Sequence, residues 1–250
     1  MIQLTIIRIE GYGPWTLTLG SDREAQIQML QARIYHDVQR LFSEKDGIVF
    51  FNRFDEYFAI TNGLDADDHL QIQHELARLY ANMSMSMTIG AGKTAFEANL
   101  NAYRTRKEGS KMRDNNKIFG SVDSQADIAQ IMHIDIDSST KVGNWLSPYE
   151  LTALVMNIYS RIAEEFLKHN SLSFFLGGDN IMVISNGMTK EQADEVLKKV
   201  TASNNIKLNC GIGIGKTGRK AAEAATKALD TIRDLREIGK IQTIYEIQCP

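Results

Sequence analysis

The sequence predicts an α+β protein built from two tandem, duplicated ferredoxin-like domains, each a mixed, mainly antiparallel sheet with helices on one face. Residues 50–63, FFNRFDEYFAITNG, match residues 174–187, FFLGGDNIMVISNG, at six of fourteen positions. Gly90-Ala-Gly-Lys-Thr94 matches Gly213-Ile-Gly-Lys-Thr217, and Arg8-Ile-Glu10 aligns with His133-Ile-Asp135. The three pairs are shifted by 124, 123 and 125 residues, so they repeat at nearly one spacing. A fixed internal spacing is the mark of a repeated structural unit. In each copy the order of signals is β-α-β-β-α-β, the split βαβ pattern.

In the first copy, residues 2–9 alternate as a strand. Ser21 and Glu24 have the spacing of a capping box, and Ile27, Leu30, Ile34, Val38 and Leu41 follow at helical period. Two short apolar runs, 48–51 and 57–61, flank Arg53-Phe-Asp55 and read as a hairpin. A weaker helix over 66–80 and a strand over 83–89 complete the copy. The second copy begins with a strand over 131–136. Ser147-Pro-Tyr-Glu150 is a capping box with proline at the first helical position. Leu151, Leu154, Ile158, Ile162 and Phe166 form the helix stripe. A hairpin over 172–184 turns at Gly177-Gly-Asp179, Thr189 and Gln192 open a helix, 208–214 is a strand, and 218–236 is the last helix.

The domains read as 1–103 and 128–250, joined by 104–127. That joint carries Arg104, Arg106, Lys107, Lys111, Arg113 and Lys117. It reads as a solvated connector with a helical start, with phosphate contact as the alternative.

The 250 residues are 43% hydrophobic and 24% charged, an ordinary globular composition. With 28 Lys+Arg against 31 Asp+Glu, no broad electrostatic grip on nucleic acid or anionic membrane is expected. The two cysteines, Cys210 and Cys249, build no disulfide framework and no zinc site. No apolar stretch approaches the ~18 residues of a membrane span, and the N-terminus lacks the pattern of a signal peptide. The expected compartment is the cytoplasm.

In a ferredoxin-like sheet the first strand lies beside the central hairpin. Asp135 should therefore approach Asp179. Two close carboxylates repel unless a cation or proton intervenes, and Mg²⁺ is the hard cation that accepts carboxylates, water and phosphate together. Gly177 and Gly178 would let a nucleotide approach the backbone. A plain tight turn is the alternative for Gly-Gly-Asp, and Asp135-Ile-Asp137 at the matched position favours the metal. Glu10 and Asp55 stand at the corresponding places of the first copy. They read either as a lost site, with Asp55 capping a turn, or as a site for base or ribose. Gly213-Ile-Gly-Lys-Thr217 fails as a phosphate loop, because Cys210 stands where the first glycine belongs. Lys216, past a strand and before a helix, reads as a ligand contact or as a solvated loop lysine. His133 reads as a packed or edge residue.

Asp135-Ile-Asp137 with Gly177-Gly-Asp-Asn180 resembles the palm domains of nucleotidyl cyclases and polymerases, and the Gly211-Ile-Gly-Ile-Gly215 ending resembles GGDEF-type domains. A closer resemblance spans nearly the whole chain. Met1-Ile-Gln-Leu-Thr5, Tyr12-Gly-Pro-Trp-Thr16, Arg53-Phe-Asp55, Ala59-Ile-Thr-Asn-Gly63, Gly177-Gly-Asp-Asn180 and Gly211 to Thr217 are similar to archaeal-type GTP cyclohydrolase III. Glu10 and Glu56 depart from that pattern, where Asp and Asn are expected.

The resemblance implies an enzyme that opens GTP at C8, retains the formyl group and releases two phosphates. The product would be 2-amino-5-formylamino-6-(5-phosphoribosylamino)pyrimidin-4(3H)-one, which leads to riboflavin and deazaflavin cofactors. It also implies two Mg²⁺ ions per site, K⁺ as a helper ion, and a homo-oligomer, dimer or tetramer. Asp135, Asp179 and the Ile136 carbonyl are the expected metal ligands, with Asn180 as a catalytic candidate. Gly177, Gly178, Asp55, Phe54 and Lys216 are the expected substrate contacts. The rivals are a nucleotidyl cyclase on the same metals and a non-catalytic GTP sensor.

Overall fold

The computed structural model describes residues 1–112, 117–137, 145–202 and 206–249, so Arg113 of the expected joint lies outside the described residues. Its contacts divide into two units, Met1–Gly92 with Glu97–Asp127, and Lys93–Phe96 with Ile128–Pro250. The first unit contains β1 (Ile2–Glu10), α1 (Tyr12–Leu17), α2 (Arg23–Ser43), β2 (Ile48–Arg53), β3 (Glu56–Ile60), α3 (Ala66–Leu79), β4 (Ser84–Gly92), all but the first two residues of α4 (Ala95–Glu108) and β5 (Ile118–Phe119). The second contains β6 (Ala129–Ile136), α5 (Pro148–Leu167), β7 (Leu172–Gly177), β8 (Asn180–Ile184), α6 (Lys190–Thr201), β9 (Leu208–Gly215), α7 (Gly218–Glu237) and β10 (Ile244–Gln248).

The two sheets have the same plan. Their strand orders are β2-β3-β1-β4-β5 and β10-β9-β6-β8-β7. In each, four strands are antiparallel and a fifth is added in parallel at one edge. In the second unit Met132, Ile134 and Ile136 of β6 share a core with Val155, Ile158 and Ile162 of α5 and Val196 and Leu197 of α6. The alternate residues of β6 face the other way, as strand geometry requires. On that side lies α7, whose Thr226 and Arg233 bond His133 and Asp135. The expected covering of one face thus holds for the two crossover helices, while the last helix of the unit lies on the opposite face. Gly211 and Gly213 allow this. A Cβ on Gly213 would sit 2.1 Å from the Ala221 carbonyl oxygen, and one on Gly211 2.1 Å from that of Ala225. The glycine run of β9 is therefore a helix-packing surface.

Helix starts follow the sequence in two cases. Ser147 with Glu150 and Thr189 with Gln192 form complete capping boxes. Ser21 with Glu24 does not, because α2 starts after Asp22, which makes no side-chain cap. A box that the Ser/Thr–Glu/Gln rule overlooks is made instead by Asp65 and Asp68 at α3.

The described residues of 104–127 group with the first unit rather than forming a separate joint, and many of them are exposed. Helix α4 runs through Glu108, and Met112 and Ile118 are buried in the core. The parallel strand β10 and the short α1 are also additions to the expected order. Among the described residues no helix is long and apolar enough to cross a membrane. Cys210 is a buried free thiol and Cys249 a half-buried one.

Candidate active site

Asp135 stands one residue from the end of β6, opposite Asn209 of β9. Its side chain points to the α7 face and is only 6% exposed. A buried carboxylate needs hydrogen bonds and a countercharge. Asn209 Nδ2 donates to Oδ1 at 2.9 Å, and the Arg233 guanidinium donates to Oδ2 at 2.7 Å. Asp137 follows the strand and pairs with Arg236 at 2.7 Å. Arg236 also donates to Asn209 Oδ1 at 2.9 Å, so it fixes the amide that holds Asp135.

The β7–β8 hairpin turns on Gly178 and Asp179. Gly177 and Gly178 have φ of 108° and 61°, which a side chain would strain. A Cβ on Gly177 meets nothing within 4 Å, and one on Gly178 meets only Asn180 Nδ2 at 3.8 Å. These glycines answer to the backbone turn, and the space beside them is open. Ile134 pairs with Ile181. The next residue along each strand is Asp135 on β6 and Asn180 on β8, and Asp179 lies in the turn beyond β8. Asn180 Nδ2 lies 3.2 Å from Asp179 Oδ1, and Asn180 Oδ1 lies 3.0 Å from His133 Nε2. His133 Nδ1 in turn faces Thr226 Oγ1 at 3.2 Å. Burial pushes the His133 imidazole below its ordinary pKa, against the opposing pull of Asn180 and Asp135.

The donor set suits a hard divalent cation. Asp135, Asp179 and the Ile136 carbonyl offer oxygen only. The buried Asp135 already carries a cation, the half-exposed Arg233 guanidinium, on its outer oxygen. Among the described residues no three His, Cys, Asp or Glu side chains converge as a metal cluster. An ion here would complete its shell with water and phosphate, as Mg²⁺ commonly does.

The sheet registers correct one alignment. Ile2 pairs with Gly92, and Ala129 pairs with Gly215. Superposing the two glycine strands sets Arg8, not Glu10, in the place of Asp135, and Glu10 in the place of Asp137. Glu56 takes the place of Asn180, and Ile6 that of His133. In the first unit the strand therefore supplies the cation and the hairpin the carboxylate. Arg8 and Glu56 pair directly, with Asn52 donating to Glu56 at 2.9 Å and Arg53 3.5 Å from it. Glu10 accepts from Arg106 at 2.6 Å and from the Ser86 hydroxyl.

Asp55 does occupy the hairpin position matching Asp179, and its carboxylate lies 3.5 Å from Arg53. Phe54 beside it is 53% exposed and meets Phe51 edge-on at 5.2 Å. Both belong to the first unit. Lys216 is exposed at the far end of β9, where Gly215 pairs with Ala129 rather than with the Asp135 end. The seven residues from Asn209 span about 23 Å at ~3.3 Å each, so Lys216 and Asp135 are not brought together. Its neighbour Thr217 caps α7 through Lys220 N.

Sequence reasoning missed Asn209, Thr226, Arg233 and Arg236. The available signals were a lone amide in an apolar, glycine-rich strand and two arginines three apart on the last helix, which share one helix face.

A family model described as GTP cyclohydrolase III matches residues 1–246. A GTP cyclohydrolase III of Methanocaldococcus jannaschii is 39% identical over 238 residues, covering 93% of this chain and 88% of that one. Another, of Methanobrevibacter smithii, is 37% identical over 241 residues, covering 94% of each. Among solved structures, the GGDEF domain of DgcB from Caulobacter crescentus in complex with c-di-GMP aligns with a TM-score of 0.42 at 15% identity, over 63% of this chain and 94% of that one.

Proposed function

Because this chain belongs to the GTP cyclohydrolase III family, we propose that its second unit converts GTP to 2-amino-5-formylamino-6-(5-phosphoribosylamino)pyrimidin-4(3H)-one. Three waters enter. One adds at C8, the C8–N9 bond breaks, and the formyl group stays on the former N7. The other two cleave the phosphoanhydrides one after the other, and two phosphates leave. The observation that carries this reading is the buried Asp135 carboxylate, held by Asn209 and facing a cation beside an open Gly-Gly-Asp hairpin.

Held by Asp135, Asp179 and the Ile136 carbonyl, two Mg²⁺ ions would neutralise phosphate charge and make a bound water more acidic. The residues of the chain prepare that place. Asn209 holds Oδ1 of Asp135, and Arg233 neutralises Oδ2. Oδ2 is the oxygen that would be offered to a divalent ion if Arg233 gave way. Gly177 and Gly178 keep the hairpin backbone bare, so that a bulky nucleotide reaches it. Asn180 donates to the Asp179 carboxylate. The same reading takes K⁺ as an activating ion and a homo-oligomer as the working form. A potassium titration of turnover and light scattering read these two out.

The test is incubation of the pure protein with GTP and Mg²⁺, following purine absorbance and identifying products by mass. Expected are loss of the purine chromophore, two phosphates per GTP and a formylaminopyrimidine. Asp135→Asn and Asp179→Asn should each lower turnover by at least ~10-fold, the lower end of the cost of removing a metal-supporting group. An intact purine ring after exhaustive incubation overturns the reading, and release of pyrophosphate with an intact ring shows a cyclase instead.

A further inference from the structure

The hairpin carboxylate of the second unit is held by a chain of side chains rather than by the turn alone. Asp179 is acceptor-only when ionised, so the Asn180 atom 3.2 Å from it is the donating Nδ2. The Asn180 amide is thereby oriented, and its acceptor Oδ1 faces His133 Nε2 at 3.0 Å. That contact requires a proton on Nε2. The other ring nitrogen, Nδ1, faces the Thr226 hydroxyl at 3.2 Å and accepts from it. The sequence of donors runs Thr226 to His133 to Asn180 to Asp179, across β6, β8 and α7. The second hydrogen bond of an imidazole fixes which nitrogen carries the proton, and here it fixes ring orientation as well.

We propose that His133 is a positioning residue of the candidate site: as the Nε2–H tautomer it locks the Asn180 amide, which then orients the Asp179 carboxylate. This rests on the reading of Asp179 as a site residue. The first unit supplies the contrast. Ile6 stands in the place of His133 and Glu56 in that of Asn180, and among the described residues no side-chain amide donates to Asp55. Its carboxylate lies instead 3.5 Å from Arg53. The chain of donors thus belongs to the second unit and not to the duplicated fold. Removing a group that orients a metal-binding carboxylate characteristically costs ~10–100-fold in ion affinity.

The first measurement is on the metal-free wild-type protein. Long-range ¹H–¹⁵N correlation of the imidazoles should show His133 protonated on Nε2, and protonation on Nδ1 overturns the proposal. The second is Mn²⁺ affinity by calorimetry, with thermal unfolding of every variant in ion-free buffer as the folding check. His133→Gln places an amide donor where Nε2 was and should bind within ~3-fold of wild type. His133→Leu, with similar bulk and no donor, should bind ~10–100-fold more weakly at an unchanged unfolding temperature. Equal affinity in His133→Leu and wild type, with Asp179→Asn weakened, overturns the relay and leaves the site standing. Full affinity in Asp179→Asn overturns the site and the relay with it. The tautomer measurement needs no variant, so a misfolded substitution does not rescue the proposal.

Discussion

Gly213→Ala tests how closely α7 must lie on the sheet for the site to exist. The added Cβ would be 2.1 Å from the Ala221 oxygen and 2.2 Å from the Ala225 nitrogen, both main-chain atoms that no rotamer can move. Ordinary contact begins at 3.4 Å, so α7 must lift by about 1.3 Å, the difference between the two distances. That helix buries Ala221, Ala225, Ala228, Leu229 and Ile232 against the sheet. Overpacking of this kind costs about 1–3 kcal/mol, and two backbone clashes place Gly213→Ala near the upper value. With a urea slope of about 2 kcal/mol/M, the unfolding midpoint of the second unit should fall by about 1.5 M. Helix α7 also carries Thr226, Arg233 and Arg236, so the lift separates them from His133, Asp135 and Asp137. A misplacement near 1 Å is enough to cost about 10²-fold in rate. The assays are urea unfolding by circular dichroism and GTP turnover under native conditions. Gly239→Ala is the control, with nothing within 4 Å of the added Cβ and a cost confined to its positive φ. An unchanged midpoint and rate in Gly213→Ala would refute the packing argument.

Arg233→Met leaves Asp135 buried without its countercharge. Its unfolding temperature should fall in ion-free buffer, and Mg²⁺ should raise it more than in wild type, as read by calorimetric scans. Ser147→Ala removes the hydroxyl of the α5 capping box and should cost about 1 kcal/mol in urea unfolding. His69 is fully buried, and burial holds its imidazole below 6.5, with the Asp65 carbonyl opposing. Its folded pKa is the lower one, so its contribution is intact above about pH 6.5 and is lost as pH falls below that value. Urea midpoints at pH 7.5 and 5.5 should therefore differ more in wild type than in His69→Asn.

The duplicated architecture was legible because hairpins, capping boxes and helix stripes are local signals. Ser147, Thr189 and the Ile158–Ile162–Phe166 stripe landed where spacing put them. The place of the last helix was not legible, because a strand over 208–214 does not show which of its faces a helix covers, and the close approach of α7 to Gly211 and Gly213 is visible only in the structure. Nor was the correct match for Asp135. Aligning Glu10 with it is wrong by two residues, and a two-residue slip leaves every side chain on its own face of the strand. Burial pattern is blind to that error, and only the pairing of Ile2 with Gly92 and of Ala129 with Gly215 reveals it. The place of Asp135 near the end of β6 followed from the strand pattern. Its bonds to Asn209 and Arg233 did not, because they join elements 74 and 98 residues away.

That charge reversal between the halves has a use for the experimentalist. Each molecule contains its own reference scaffold, with the same strands, the same hairpin and opposite electrical character at the strand end. Exchanging Ile6, Arg8 and Glu56 for the His133, Asp135 and Asn180 types would graft the chemistry of one half onto the other. The graft separates what the scaffold provides from what three side chains add.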